Sequence, residues 1–272
     1  MTERIERRLA ALKAQGRTAL VPYVTAGDPS LATTVPLIHA LVDAGADIVE
    51  LGVPFSDPMA DGPVIQRAAE RALAQHVGLR DVIDVAREFR KRDDGTPLVL
   101  MGYLNPIEAM GTRAFVDAAR AAGIDGLIVV DCPPEEMDAL EPMLREAGIA
   151  PIFLIAPTTP EARIAAIAKL ARGFVYYVSL KGVTGAAHLD VGDVRTHLAT
   201  IRRHLSVPVG VGFGIRDAQS AQAIAAHADA VVIGARLVHE IETGPPAQAV
   251  ERAAKWLGGI RRALDAVRKD AA

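Results

Sequence analysis

Eight short, almost unbroken apolar runs constrain this chain most. They are "TALVPYVTAG", "DIVELGV", "PLVLMGY", "DGLIVVD", "APIFLIA", "FVYYVSL", "PVGVGFG" and "DAVVIGA". A strand with one wet face alternates apolar and polar residues, whereas a strand covered on both faces reads as a continuous Val/Ile/Leu run. Amphipathic segments such as "SLATTVPLIHALVDAG", "RAFVDAARAAG" and "EEMDALEPMLREAG" lie between the runs, and these three end in Ala-Gly, a left-handed helix cap. Run starts recur about every 22 to 34 residues, with one gap near 50 that holds an extra helix. That spacing suits βαβ crossovers.

Eight such units, preceded by the amphipathic "MTERIERRLAALKAQG", predict a single (β/α)₈ TIM barrel over residues 1–272 with an added N-terminal helix. A doubly wound open sheet is the alternative, but no G-x-G-x-x-G follows the first strand. The net charge of −3 gives no basic footprint for nucleic acid. One cysteine, Cys132, permits no internal disulfide, and the histidines show no metal-ligand spacing. No apolar run reaches the roughly 20 residues that span a bilayer, and the N-terminus lacks a signal-peptide core. The expectation is a soluble cytoplasmic protein without membrane, nucleic-acid or metal partners.

The run "DIVELGV" contains an acid, Glu50, and "PFSDPMADGP" directly after it adds Asp57 and Asp61. Side chains alternate along a strand. If Val49, Leu51 and Val53 meet the helices, Glu50 points into the barrel near its C-terminal mouth, where such folds keep their active sites. Burial there raises a carboxyl pKa and suits it to proton transfer in both directions. A structural Glu paired with an Arg, or a register that turns Glu50 outward, fits the same residues. Asp61 in "ADGP" and Asp57 in "FSDP" also fit ordinary turns.

"KGVTGA", "GFGIRD" and "IGARL" follow the last three runs and offer glycine-lined main chain to an anion. Tyr23, Tyr103, Tyr176 and Phe213 fall in or just after predicted strands, as pocket lining or as plain core. No G-x-S-x-G elbow marks a serine nucleophile.

"PYVTAGDP", "ELGVPFSDPMADGP", "MGYLNP", "GVTGA" and "GFGI" stand in the order and spacing of the tryptophan synthase α subunit family, which the chain resembles over nearly its whole length. The resemblance implies cleavage of indole-3-glycerol phosphate into indole and glyceraldehyde 3-phosphate. It also implies a pyridoxal-phosphate β subunit that receives the indole, in an α2β2 heterotetramer, with no cofactor or metal in this chain. By motif, Glu50 takes the place of the general acid/base and Asp61 that of the carboxylate beside the indole N–H. Tyr23, Met101, Tyr103, Ile128, Leu154, Tyr176, Thr184 and Phe213 fall where the family binds the rest of the substrate. Gly185, Gly214, Gly234 and Ala235 take the phosphate positions, and Asp57, Pro58 and Asp131 the β-subunit contacts.

Two residues depart from the family pattern. Ala235 stands where the family usually has a phosphate-touching serine, and Lys181 where Ser or Thr is common. Arg236 compensates for the missing hydroxyl if it faces the phosphate, whereas strand alternation aims it away from Ala235's side. A stand-alone lyase, or a module that binds weakly and mainly activates a partner, are the readings that compete with a β-dependent α subunit.

Overall fold

The computed structural model describes residues 3–179, 191–212 and 214–267. Each of the eight apolar runs contains parallel strand: β1 (Ala19–Thr25), β2 (Val49–Gly52), β3 (Leu98–Gly102), β4 (Gly126–Val129), the pair β5 (Ala150–Pro151) and β6 (Leu154–Ile155), β7 (Val175–Val178), β8 (Val209–Gly212) and β9 (Ala230–Ile233). Their order in the sheet is β5-β4-β3-β2-β1-β9-β8-β7-β6. Both ends of that order belong to one run, so the sheet closes on itself as a barrel.

The fifth run, expected as one strand, is split. Pro151 has no N–H to give to the ladder. The Ile152 N–H still reaches Leu127 O at 3.0 Å on one side, and Tyr176 N–H reaches Phe153 O at 3.0 Å on the other.

Helices fill the intervals: α1 (Glu3–Ala14), α2 (Leu31–Asp43), α3 (Pro63–Leu73), α4 (Leu79–Arg90), α5 (Leu104–Met110) and α6 (Thr112–Ala121) in the first half. The second half adds α7 (Leu140–Ala147), α8 (Glu161–Leu170), α9 (Val191–His204), α10 (Ala218–Ala225), α11 (Ala235–Glu242) and α12 (Ala249–Asp265). The long gap between the second and third runs holds α3 and α4, as its length requires. The expected Ala-Gly stops are present, with Gly45, Gly123 and Gly148 all at positive φ. Helix α5 carries Pro106 in its first turn, where proline forfeits no helical hydrogen bond.

Alternation sorts each strand between two cores. Val49 and Leu51 join Leu98, Leu100, Val209 and Val211 in the layer between sheet and helices. Ile48 joins Val21, Val99, Ile128, Tyr176 and Val232 inside the barrel, with Ile5, Leu9 and Leu12 of α1 plugging its N-terminal end. The plug is bolted electrostatically. Arg8 Nη2 lies 2.7 Å from Asp47 Oδ1, and Arg4 Nη1 lies 2.8 Å from Asp125 Oδ1. Those aspartates precede β2 and β4, and each accepts a neighbouring strand's N–H at 2.9 Å, from Leu20 and Leu98 respectively. Arg261 and Arg90 complete the two clusters.

Candidate active site

The opposite end is open. A cavity of about 380 Å³ lies at the C-terminal mouth, and both expected acids line it: Glu50 from the middle of β2 and Asp61 from the loop beyond. Glu50 shares the inward face with Ile48, as alternation requires, and is 1% exposed. Its Oε1 is buried without a hydrogen-bond partner among the described residues. Burial pushes the carboxyl up to about 8, with no cation among the described residues beside it to oppose the shift. The readings that pair it with an arginine or turn it outward are excluded by this geometry.

Asp61 is held by its surroundings. Tyr103 Oη donates to Asp61 Oδ2 at 3.0 Å and accepts the Ala60 N–H at 3.1 Å, so one phenol fixes both the carboxylate and the loop. Gln66, one turn into α3, holds the Asp61 carbonyl at 2.9 Å. Burial raises the Asp61 pKa, and the Tyr103 hydrogen bond opposes part of the rise. Phe55 stacks on Tyr103 at 5.0 Å between centroids, closing the outer side of the loop.

Tyr23 and Tyr176 line the cavity together with Met101. Tyr23 stands in register with Glu50 on the adjacent strand. Burial holds both phenols well above their ordinary pKa, so they stay neutral. Two glycines make room for them. A Cβ on Gly52 would meet Tyr23 Oη at 2.1 Å, and one on Gly212 would meet Tyr176 Oη at 2.2 Å. Each glycine ends the strand beside its tyrosine, so a small residue there sets the ring's position.

At the far side, Gly214, Gly234 and Ala235 line the same cavity. Gly234 directly precedes α11, whose first N–H groups need acceptors from outside the helix. Ile128 and Leu154 do not line the cavity; they pack with Met101 and Tyr176 inside the barrel. Thr184, Gly185 and Phe213 lie outside the described residues, as does Lys181. Asp57 is exposed beside Pro58 and accepts the Ser56 hydroxyl at 2.6 Å, and the neighbouring Met59 is 81% exposed. Asp131 is exposed and accepts the Leu104 N–H at the start of α5 at 2.8 Å.

Sequence reasoning missed Val64, Ile65, Arg216 and His239 as cavity residues. Val64 and Ile65 follow the Asp61 loop directly, and Arg216 follows "GFGI", so proximity to those motifs was the available signal. Arg236, expected to point away, lines the cavity as well. The alternation argument failed there because residue 236 lies in a helix, where the period is 3.6 residues. Among the described residues no group of His, Cys, Asp and Glu could hold a metal ion, and no helix is long and apolar enough to cross a membrane.

A family model described as "Tryptophan synthase alpha chain" matches residues 9–264. The tryptophan synthase alpha chain of Laribacter hongkongensis is 64% identical over 263 residues, covering 97% of this chain and 99% of the relative. That of Bordetella pertussis is 63% identical over 278 residues, covering 99% and 98%. Among solved structures, the alpha subunit from Legionella pneumophila str. Paris has a TM-score of 0.91 at 42% identity, covering 97% of this chain and 99% of that one. A Mycobacterium tuberculosis tryptophan synthase in its aminoacrylate-bound form has a TM-score of 0.86 at 33% identity, covering 96% and 99%.

Proposed function

The chain belongs to the tryptophan synthase alpha chain family, and from that premise we propose that Glu50 moves the protons and Asp61 faces the ring nitrogen during its lyase reaction. The reaction cleaves indole-3-glycerol phosphate to indole and glyceraldehyde 3-phosphate, and the indole passes to a β subunit. Pyridoxal phosphate resides in that β subunit and not in the alpha chain.

The observation that carries the assignment is the buried Glu50 carboxyl, whose Oε1 has no hydrogen-bond partner among the described residues, in the same cavity as Asp61. Cleavage needs a proton delivered to indole C3, so that the ring leaves as neutral indole. It also needs a proton removed from the glycerol hydroxyl that becomes the aldehyde. The two transfers balance, and a carboxyl titrating near 8 is populated in both forms around neutrality, so it serves either. When C3 is protonated, positive charge moves to the ring nitrogen. Asp61, fixed by Tyr103, provides a negative group already in place for that charge. Tyr23, Met101 and Tyr176 form the walls for the indole ring, while Ile128 and Leu154 act behind them by packing.

The acids come from β2 and its loop, whereas Gly214, Gly234 and Ala235 follow β8 and β9, on the other side of β1 in the sheet. A substrate with its ring against Glu50 and Asp61 and its phosphate at the glycines spans that distance. Phosphate binding then orients the reacting carbon with energy from a part of the substrate that does not react. The resemblance also assigns Thr184, Gly185 and Phe213 to substrate binding, and all three lie outside the described residues. Asp57, Pro58 and Asp131, all on the mouth side of the barrel, contact the β subunit in an α2β2 assembly. We place the reaction in the cytoplasm and treat residues 1–272 as one barrel domain.

The test is indole release from indole-3-glycerol phosphate by the full chain, with and without β subunit, alongside Glu50→Gln. Release that rises strongly with β and collapses in the variant supports the assignment. Undiminished release by Glu50→Gln overturns the role of Glu50, and fast release that β does not stimulate overturns the dependent-subunit reading.

A further inference from the structure

The cavity's lining is electrically divided. Its acids are Glu50 and Asp61, on and beside β2, while Arg216, Arg236 and His239 line it from the segments after β8 and β9. Main-chain N–H groups alone leave a phosphate dianion with no formal countercharge, a costly arrangement next to Val64, Ile65 and Val232. Ala235 provides no hydroxyl either.

Arg236 is the second residue of α11 and is paired with Glu240, one turn further along the same helix face. Both side chains keep some contact with solvent, at 37% for Arg236 and 18% for Glu240. An i,i+4 pair of this kind is a weak interaction on a helix surface. A guanidinium on phosphate forms two parallel charge-assisted hydrogen bonds and is much the stronger arrangement. Helical side chains also lean toward the N-terminus of their helix, which here is the cavity end. Exchanging Glu240 for a phosphate therefore requires a side-chain swing and no backbone movement.

We propose that Arg236 is a side-chain ligand of the substrate's phosphate and that Glu240 is the carboxylate it leaves to bind it. The proposal rests on the reading of this cavity as the indole-3-glycerol phosphate site. It makes phosphate capture in this chain dependent on a side-chain charge and not on main chain alone.

The test uses the full chain with glycerol 3-phosphate and indole as separate probes of the two halves of the cavity, by equilibrium titration, so that no catalysis is needed. Arg236→Ala is expected to weaken glycerol 3-phosphate about tenfold, the usual worth of a charge-assisted contact, with indole affinity unchanged. Arg236→Lys recovers part of the loss. Glu240→Gln, which frees the arginine, tightens glycerol 3-phosphate by about two- to threefold. In turnover, the Arg236→Ala defect falls more on KM than on kcat and shrinks as salt is raised. An unchanged glycerol 3-phosphate affinity in Arg236→Ala overturns the proposal. So does a loss in Glu240→Gln as large as that in Arg236→Ala, since the pair would then matter only as structure. Failure of Glu50→Gln to slow indole release would instead strike the catalytic reading and leave these titrations standing.

Discussion

The two ends of this barrel treat buried carboxylates in opposite ways. At the plugged end, Asp47 and Asp125 are almost fully buried, yet each has two arginines and a strand N–H within hydrogen-bond distance. At the mouth, Glu50 is as deeply buried and has no cation beside it among the described residues. A folded protein tolerates a buried ion when partners replace the lost water. Where it leaves one oxygen unpartnered, the carboxyl is held ready to exchange a proton. The plugged end uses buried charge to fix α1 and the strand order, and the mouth uses it for chemistry.

Breaking the mouth costs rate. Glu50→Gln is expected to lower indole release by about 10²–10⁴-fold, the usual worth of a general acid–base group. It should not cost stability. The carboxyl's raised pKa means that the folded chain holds a proton which the unfolded chain has released above about 4.5. Stability from this group is thus fully present below about 4.5 and lost as the pH rises through about 8. Denaturant titrations at pH 5 and pH 9 should show wild type losing more stability than Glu50→Gln over that interval.

Breaking the plugged end costs stability instead. Asp125→Ala strands Arg90, whose side chain is only 10% exposed, and releases Arg4 from the barrel. Removing one partner of a buried pair typically costs about 3–5 kcal/mol. Chemical denaturation should show that loss, while kcat of the remaining folded protein stays near wild type. A large fall in kcat would remove the division of labour between the ends.

A smaller effect belongs to Gly212→Ala. Its new Cβ would lie 2.2 Å from Tyr176 Oη, so the ring must move. Overpacking of this kind costs about 1–3 kcal/mol. The displaced ring narrows the cavity, so indole affinity, followed by titration, should fall as well. The smallest effect expected is that of Tyr103→Phe, which frees the Asp61 carboxylate and the Ala60 N–H. Losing one net hydrogen bond, about 0.5–1.5 kcal/mol, lowers kcat/KM by roughly three- to tenfold.

Much of this contrast is legible in the sequence. Two-sided burial produces unbroken apolar runs, and period-two alternation placed Glu50 inside once Val49 and Leu51 were given to the helices. The resemblance placed Asp61, Tyr23, Gly214 and Gly234, and these four line one cavity. What escaped depended on long-range contact or on local backbone. Arg4 meets Asp125 across 121 residues, a pairing that no local pattern records. The split of the fifth strand follows from Pro151 lacking a donor just where the chain changes partners. Arg236 was misdirected by applying a strand's alternation to what is the first turn of a helix.

The central claim is that Glu50 is held protonated by burial at the mouth of the barrel. The direct measurement is a carbon-detected NMR titration of the full chain with ¹³C-labelled glutamate carboxyls, using Glu50→Gln to assign the resonance. A Glu50 carboxyl that titrates at about pH 8 is the expected result. One that titrates near the ordinary 4.5 of a glutamate would contradict the account.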